Sequence, residues 1–597
     1  MKRKLGIITL LILTILATTP QFQLNAAEDP DKVFVQPDDH LPGQHNIRFS
    51  DSYVDFTSSL FNPERLKDTS LDPTCSSLAD KNCGDNIVRF DAILPFCSAA
   101  EKTNCVDEVG AISSSGTKVT AIQKLKFPKL AQNEFKGSPE QGLPSGTSHT
   151  VVEIPGVSHS GGSDYIAGAF ISGTLNKLRS ELSISNFALR ITPVRIVPST
   201  VTCNKPAGDP VPCVDSGFAP VLGADGVRRW SYQGPGWDGK QACAVRSLRE
   251  NLCAEMFGFP NNFKFFFQVR TSVKVTGWLH GRVFEPNISI TKDKDDTVIR
   301  VEGSPVKVPM IYKANYWKDL PENIRKEYDP VNGQLIGGEH SSSSRIPLPN
   351  QNDPLTRNIT RQPSPSSFSG IRELQLWLPY LSDKATTNQS SWTIRTLSTT
   401  ELSNANRCFT DPSDLNGIVA SNSTQYSAGP PRFNQSNQSL DYQVAAPHFD
   451  SVGTPNKGQY SLLMRSSVAR CIYGFSNAPI RAELTVVTAD GSPQVASLAI
   501  SESNGWLRLN AFNFEYSAPI IKAVLTQETP TPTPTPKASA SESPSPQPTV
   551  VAPSPSPTKN TNLVTTAKRT TIVCTKGKLT KRVTAVKPKC PAGYKKK

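Results

Sequence analysis

Apolar and polar residues alternate over many short runs of the chain, and the runs are separated by Gly, Pro, Asn and Ser. A period of two puts successive side chains on opposite faces of a strand. Ile87 to Leu94, Val106 to Ile112, Lys118 to Phe127, Thr150 to Ile154, Tyr165 to Ile171 and Phe187 to Val197 read as strands. Asn262 to Val275 has the clearest signal, with Phe263, Phe265 and Phe267 on one face. Ile288 to Ile290 and Val298 to Val301 read as a hairpin, followed by a strand at Val306 to Tyr312. Further strands are expected at Leu374 to Leu378, Trp392 to Leu397, Tyr460 to Met464, Ala482 to Val487, Val495 to Ile500, Leu507 to Phe514 and Ile520 to Leu525. The one helix expected is short, Leu320 to Glu327. The pattern predicts a mostly β protein built of two or more antiparallel, sandwich-like domains.

Composition divides the chain. Lys2-Arg3-Lys4 and the apolar run Leu5 to Ala17 read as a signal peptide over 1–27. A β-rich region with disulfide loops is expected over 28–338, with a possible split near 130–150. Residues 339–369 are rich in Ser, Pro and Asn and read as a connecting loop. A second sandwich-like domain is expected over 370–526. The segment 527–558 is Pro/Ser/Thr-rich, a low-complexity spacer that polyproline II geometry could extend to roughly 90 Å. Residues 559–597 form a basic tail.

The twelve cysteines change the picture from loose loops to stapled ones. Nearest-neighbour pairing gives Cys75 with Cys83, Cys97 with Cys105, Cys203 with Cys213 and Cys243 with Cys253. Cys408 with Cys471 is the long-range pair, and Cys574 with Cys590 would close the tail. Disulfides on this scale belong to oxidising compartments, so the chain is expected to be secreted, extracellular or attached to the cell envelope. No C-x-x-C ligand pair exists, and no metal or cofactor is expected. No stretch after the leader is apolar for long enough to predict a membrane span.

The charge is uneven. Lys559 to Lys597 holds twelve Lys and Arg residues and no Asp or Glu, so it accounts for nearly all of the formal net charge of +13. Within it Thr570 to Cys574 and Leu579 to Thr584 read as a hairpin turned at Lys576-Gly577. The candidate envelope-binding residues are Lys576, Lys578, Lys581, Arg582, Lys587, Lys589, Lys595, Lys596 and Lys597. Anionic envelope polymers or glycans are the expected partners, and export argues against nucleic acid.

Candidate chemistry is sparse. There is no H-E-x-x-H, no P-loop and no dinucleotide fingerprint. Gly156 to Gly161 looks in part like a nucleophile elbow, but the glycine two residues after Ser158 is missing. Asp293, Asp295 and Asp296 offer oxygens for calcium without the loop that holds it, and read as a solvated turn. Trp230, Tyr232 and Trp237 are candidate ligand-binding aromatics: period two puts Trp230 and Tyr232 on one strand face, and Trp237 lies in a Gly/Pro loop.

The tail sequence IVCTKGKLTKRVTAVKPKCPAGYKKK resembles C-terminal tails of assorted exported actinobacterial proteins. The phrases ELQLWLPYLSDKA, SAGPPRFNQS and MRSSVARCIYGFSNAPI resemble a group of uncharacterised large secreted proteins of the same bacteria, over about Asp51 to Leu525. The resemblance brings no catalytic or binding residues with it. It implies a bacterial protein of the envelope or the extracellular space.

Two functional expectations follow. The first is a binding or structural protein without catalysis, retained by its tail, with a glycan or a protein as the ligand of its body. The second is a secreted polysaccharide hydrolase carrying a retention tail. A deep cleft lined by two carboxylates is the feature expected of the second.

Overall fold

The computed structural model describes residues 43–51, 57–68, 71–130, 133–201, 217–222, 228–233, 241–329, 341–343, 355, 359–403, 405–411, 413–488, 492–494, 496–516, 519–527, 570–576, 579–585 and 595–596. The chain divides into two compact units, Met1–Pro530 and Thr531–Lys597. The four disulfides among the described residues are Cys75–Cys83, Cys97–Cys105, Cys243–Cys253 and Cys408–Cys471. Cys203, Cys213 and Cys590, and the side chain of Cys574, lie outside the described residues.

The first unit is mostly β. Its principal strands are β1 (Ile87–Ile93), β2 (Cys105–Ser113), β3 (Asp164–Asn176), β4 (Glu181–Pro198), β5 (Phe263–Thr271), β6 (Gly277–Asp293), β7 (Asp296–Lys313), β8 (Thr387–Thr396), β9 (Leu415–Ser421), β10 (Ser439–Ala445), β11 (Lys457–Arg465), β12 (Ile480–Val487), β13 (Ser497–Ser503), β14 (Trp506–Glu515) and β15 (Ile520–Gln527). Nine of them run side by side as a central sheet, in the order β13-β14-β11-β9-β6-β8-β4-β3-β1. The β6–β9 pair is parallel, so the sheet is mixed and not purely antiparallel as expected. β6 belongs to two sheets. Through Arg282 it pairs with β8 and β9; from Val283 onward it pairs with β7, in a second sheet with β5 and β2. A third sheet joins β10, β15 and β12.

The central sheet is apolar on both faces because two cores need it. Leu189, Ile191, Leu279, Trp392, Ile394, Ile418 and Leu463 pack toward Phe265, Phe267 and Val301. The neighbours Val419, Leu462 and Met464 point the other way, toward Tyr442, Val444, Leu484 and Ile521. Strands buried on both sides read as nearly continuous apolar runs, as Leu462-Leu463-Met464 does. Strands from both sides of residues 339–369 share this sheet: β4 and β6 come before it, β8, β9, β11 and β14 after it. Trp230 and Tyr232 lie on Arg228–Gln233, which pairs with Gly217–Leu222.

The helices depart most from the sequence reading. The expected Leu320 to Glu327 becomes a short 3-10 turn, Trp317–Asp319, followed by α1, Glu322–Glu327. Leu374 to Leu378, expected as a strand, lies in and just after helix α2, Phe368–Trp377. Leu374, Leu376 and Leu378 alternate, but Ile371, Leu374 and Trp377 are the buried set, at helical spacing. Ser367 caps the helix, its Oγ accepting from the Gly370 N–H at 2.9 Å. Two more helices follow: α3 (Thr399–Leu402), opened by a capping box between Ser398 and Glu401, and α4 (Ser466–Tyr473).

Candidate anion-binding cleft

The third sheet covers only part of the central sheet. Over β4, β8 and β6 the same face lines a cleft of about 1410 Å³. Register places the floor residues. Arg190 on β4 is opposite Thr393 on β8, which is opposite Arg282 on β6. One step along, Ala188 is opposite Arg395, and Arg395 is opposite His280. Directly paired residues share a face, as do residues two apart on one strand. Arg190, Arg395, His280 and Arg282 therefore form a polar floor, backed by Leu189, Ile394 and Leu279 in the core.

Three segments make the walls. One is Ser364 to Arg372, which includes the first turn of α2. Another is Ser398 to Asn406, around α3, and the third is Ala428 to Gln435. Gly370 lets the first wall close on the body. A Cβ there would stand 2.2 Å from the Gln425 Oε1 and 2.8 Å from the Ser364 carbonyl oxygen.

Each floor charge has a defined setting. Arg282 donates to Asp51 (Nε to Oδ2, 2.8 Å) and to the carbonyls of Ser421 (2.9 Å) and Ser423 (2.8 Å). Burial opposes its charge, and the Asp51 carboxylate overrides this and raises its pKa. Arg395 grips Glu401 at two points, 2.8 and 2.7 Å. Burial acts to raise the Glu401 carboxyl, but Arg395 and the Ser398 N–H hold it down to about 2. Such fork-on-fork pairs are strong and fixed in geometry. Arg190 donates to Thr192 (3.1 Å), and burial pushes its guanidinium down to about 9.

His280 is stacked on Tyr426 and is 3% exposed, and its Nε2 is buried without a hydrogen-bond partner among the described residues. Burial, with the charges of Arg282 and Arg395, pushes it well below the ordinary histidine value, so it is neutral at physiological pH. Nearer the mouth Arg432 lies over the Phe368 ring, 4.0 Å from its centroid, and Arg372 pairs with Glu327 at 3.2 Å.

Among the described residues the lining holds five arginines against two carboxylates, Asp51 and Glu401. With His280 neutral, the excess is positive. The α2 N-terminus adds partial positive charge at the wall. Arginine forks and a helix N-terminus in a partly desolvated recess form a setting for anions.

The sequence motifs lie elsewhere. The side chains of Trp230 and Tyr232, and all of Trp237, are outside the described residues. In the tail, Thr570–Lys576 pairs with Leu579–Ala585 and carries Lys576, Lys581 and Arg582. Lys595 and Lys596 form a third short strand, and Lys578, Lys587, Lys589 and Lys597 lie outside the described residues. Ser158 is exposed, while His159 Nε2 bonds the Asp164 carbonyl oxygen and its Nδ1 accepts from the Gly161 N–H, so the ring supports a loop. Asp293 pairs with Arg270, and Asp296 accepts from Thr103 at 2.6 Å. Trp278 is core, its Nε1 donating to the Phe409 carbonyl.

The floor residues belong to no motif. Their signal in the sequence is a basic residue on the second face of an otherwise apolar strand, seen in Leu189-Arg190-Ile191, Leu279-His280-Gly281-Arg282 and Ile394-Arg395. No family model and no curated protein matches the chain.

Proposed function

We propose that this chain is an exported binding protein, whose body holds an anionic ligand in the arginine-floored cleft and whose basic tail retains it at an envelope of anionic polymers. The observation that carries this reading is the shared face of Arg190, Arg395, His280 and Arg282 across three adjacent strands. The four disulfides are consistent with an oxidising compartment, and no helix among the described residues is long and apolar enough to cross a membrane.

The hydrolase reading is addressed by the same cleft, because two carboxylates do line it. A glycosidase acid needs a raised pKa to hold its proton. Glu401 is held down to about 2, and Asp51 is bonded through both oxygens to Arg282. Both carboxylates hold arginines in place, and Glu401, held so low, is a poor proton donor, which favours binding over hydrolysis.

Thermal shift with the full chain tests the proposal. Phosphate, citrate and glucuronate should raise Tm more than glucose does, and Arg190→Gln should reduce the response. An equal response to glucose, or an unchanged response in the variant, overturns it.

A further inference from the structure

The cleft is larger than a single small anion requires, since ordinary small-ligand sites span roughly 300–1,000 Å³ and this one measures about 1410 Å³. Its walls are rich in hydroxyls. Nine Ser and Thr residues line it among the described residues, with Gln389, Asn406 and Gln435, so the surface around the cationic floor suits a ligand that carries many hydroxyls of its own. At the mouth Phe368 is 37% exposed, and Phe433, Pro430 and Pro431 also line the cleft. Apolar ring faces beside hydroxyls and arginines match a sugar ring, which presents C–H groups on its faces and hydroxyls around its edge. An acidic peptide would share the charges but would bring few hydroxyls to such walls.

Resting on the anion-binding reading above, we infer that the ligand is an acidic oligosaccharide. Its anionic group sits over the floor at Arg190, Arg395 and His280, and a neighbouring sugar ring lies against Phe368 at the mouth. The anionic group is a carboxylate or a phosphate; the floor chemistry serves both.

Calorimetric titration of the full chain distinguishes the outcomes. The probes are tetragalacturonate, galacturonate, a neutral cellotetraose, a glycerol-phosphate oligomer bearing sugars, and a short polyglutamate. The basic tail is common to wild type and variants, so the difference between them reports the cleft. The expected result is tetragalacturonate or the phosphate oligomer binding at least tenfold tighter than galacturonate. Phe368→Ala should remove most of that gain, while Arg190→Gln weakens both the tetramer and galacturonate. Preference between the two oligomers identifies the anionic group. If galacturonate binds as tightly as its tetramer, or polyglutamate binds better than either glycan, the oligosaccharide assignment is overturned while the anion site stands. If neither acidic probe responds to Arg190→Gln, both readings fall.

Discussion

His280 stacks on Tyr426 with ring planes 5° apart and centroids 4.1 Å apart, and Arg282 reaches over the same tyrosine ring at 4.8 Å. Arg395 is paired opposite the histidine and Arg282 lies two residues along its strand, and burial and both charges favour its neutral form.

This gives a pH signature. In the unfolded chain His280 takes up a proton near 6.5, whereas in the folded chain it does so only well below that value. Its neutral, buried state therefore contributes stability that is present above 6.5 and is lost as pH falls toward the folded value. The slope is at most about 1.4 kcal/mol per pH unit. His448, paired with Asp383, is shifted upward and acts in the opposite sense. Denaturant melts of wild type and His280→Gln between pH 7 and 5 should differ by the His280 slope. Parallel profiles would refute the assignment.

Glu401 works at lower pH. Its carboxyl is held at about 2 against an ordinary 4.5, so its contribution is present above 4.5 and is lost as pH falls through 2. The upper size of this term is about 3 kcal/mol. Glu401→Gln should lower stability at pH 7 by roughly 2 kcal/mol and flatten the acid limb of the unfolding profile, as followed by tryptophan fluorescence.

Gly370 sets the position of a cleft wall. Gly370→Ala forces a Cβ against the Ser364 carbonyl and the Ser367 Oγ. The expected cost is about 1–3 kcal/mol, with weaker anion binding and an unchanged far-UV spectrum. Wild-type affinity in this variant would mean that the wall does not contact the ligand.

Cys408–Cys471 ties the turn that follows α3 to α4 across 63 residues. Loop-closure entropy puts the stabilisation at about 4 kcal/mol. The double Cys408→Ser, Cys471→Ser variant should melt many degrees lower, measured by calorimetry under non-reducing conditions. A loss of under ~1 kcal/mol would show that the native contacts hold this wall by themselves.

Deletion of Lys559 to Lys597 is expected to move the protein from the cell fraction to the medium. Retention of the intact chain should weaken with salt, since exposed charges are screened within about 8 Å at physiological ionic strength. Unchanged fractionation of the truncated chain in low salt would remove the retention role.

Much of this protein is legible from local sequence. Strand periodicity is a local property, so Phe263, Phe265 and Phe267 announce β5, and the short cysteine spacings announce Cys75–Cys83 and Cys97–Cys105. The uneven charge of the tail is likewise a matter of counting. The α2 segment was less legible, because its leucines satisfy period two while Ile371, Leu374 and Trp377 satisfy the helical period that burial selects. Strand partners are not local at all. Arg190, His280, Arg282 and Arg395 come from three strands separated by long stretches of chain, and only the register of β4, β8 and β6 brings them to one face. The third sheet also leaves that face free of its own cover, since it packs over β9, β11 and β14 and stops short of β4 and β8. Local chemistry determined which residues alternate and which cysteines lie close; long-range hydrogen bonding and the competition for apolar cover decided which charges meet.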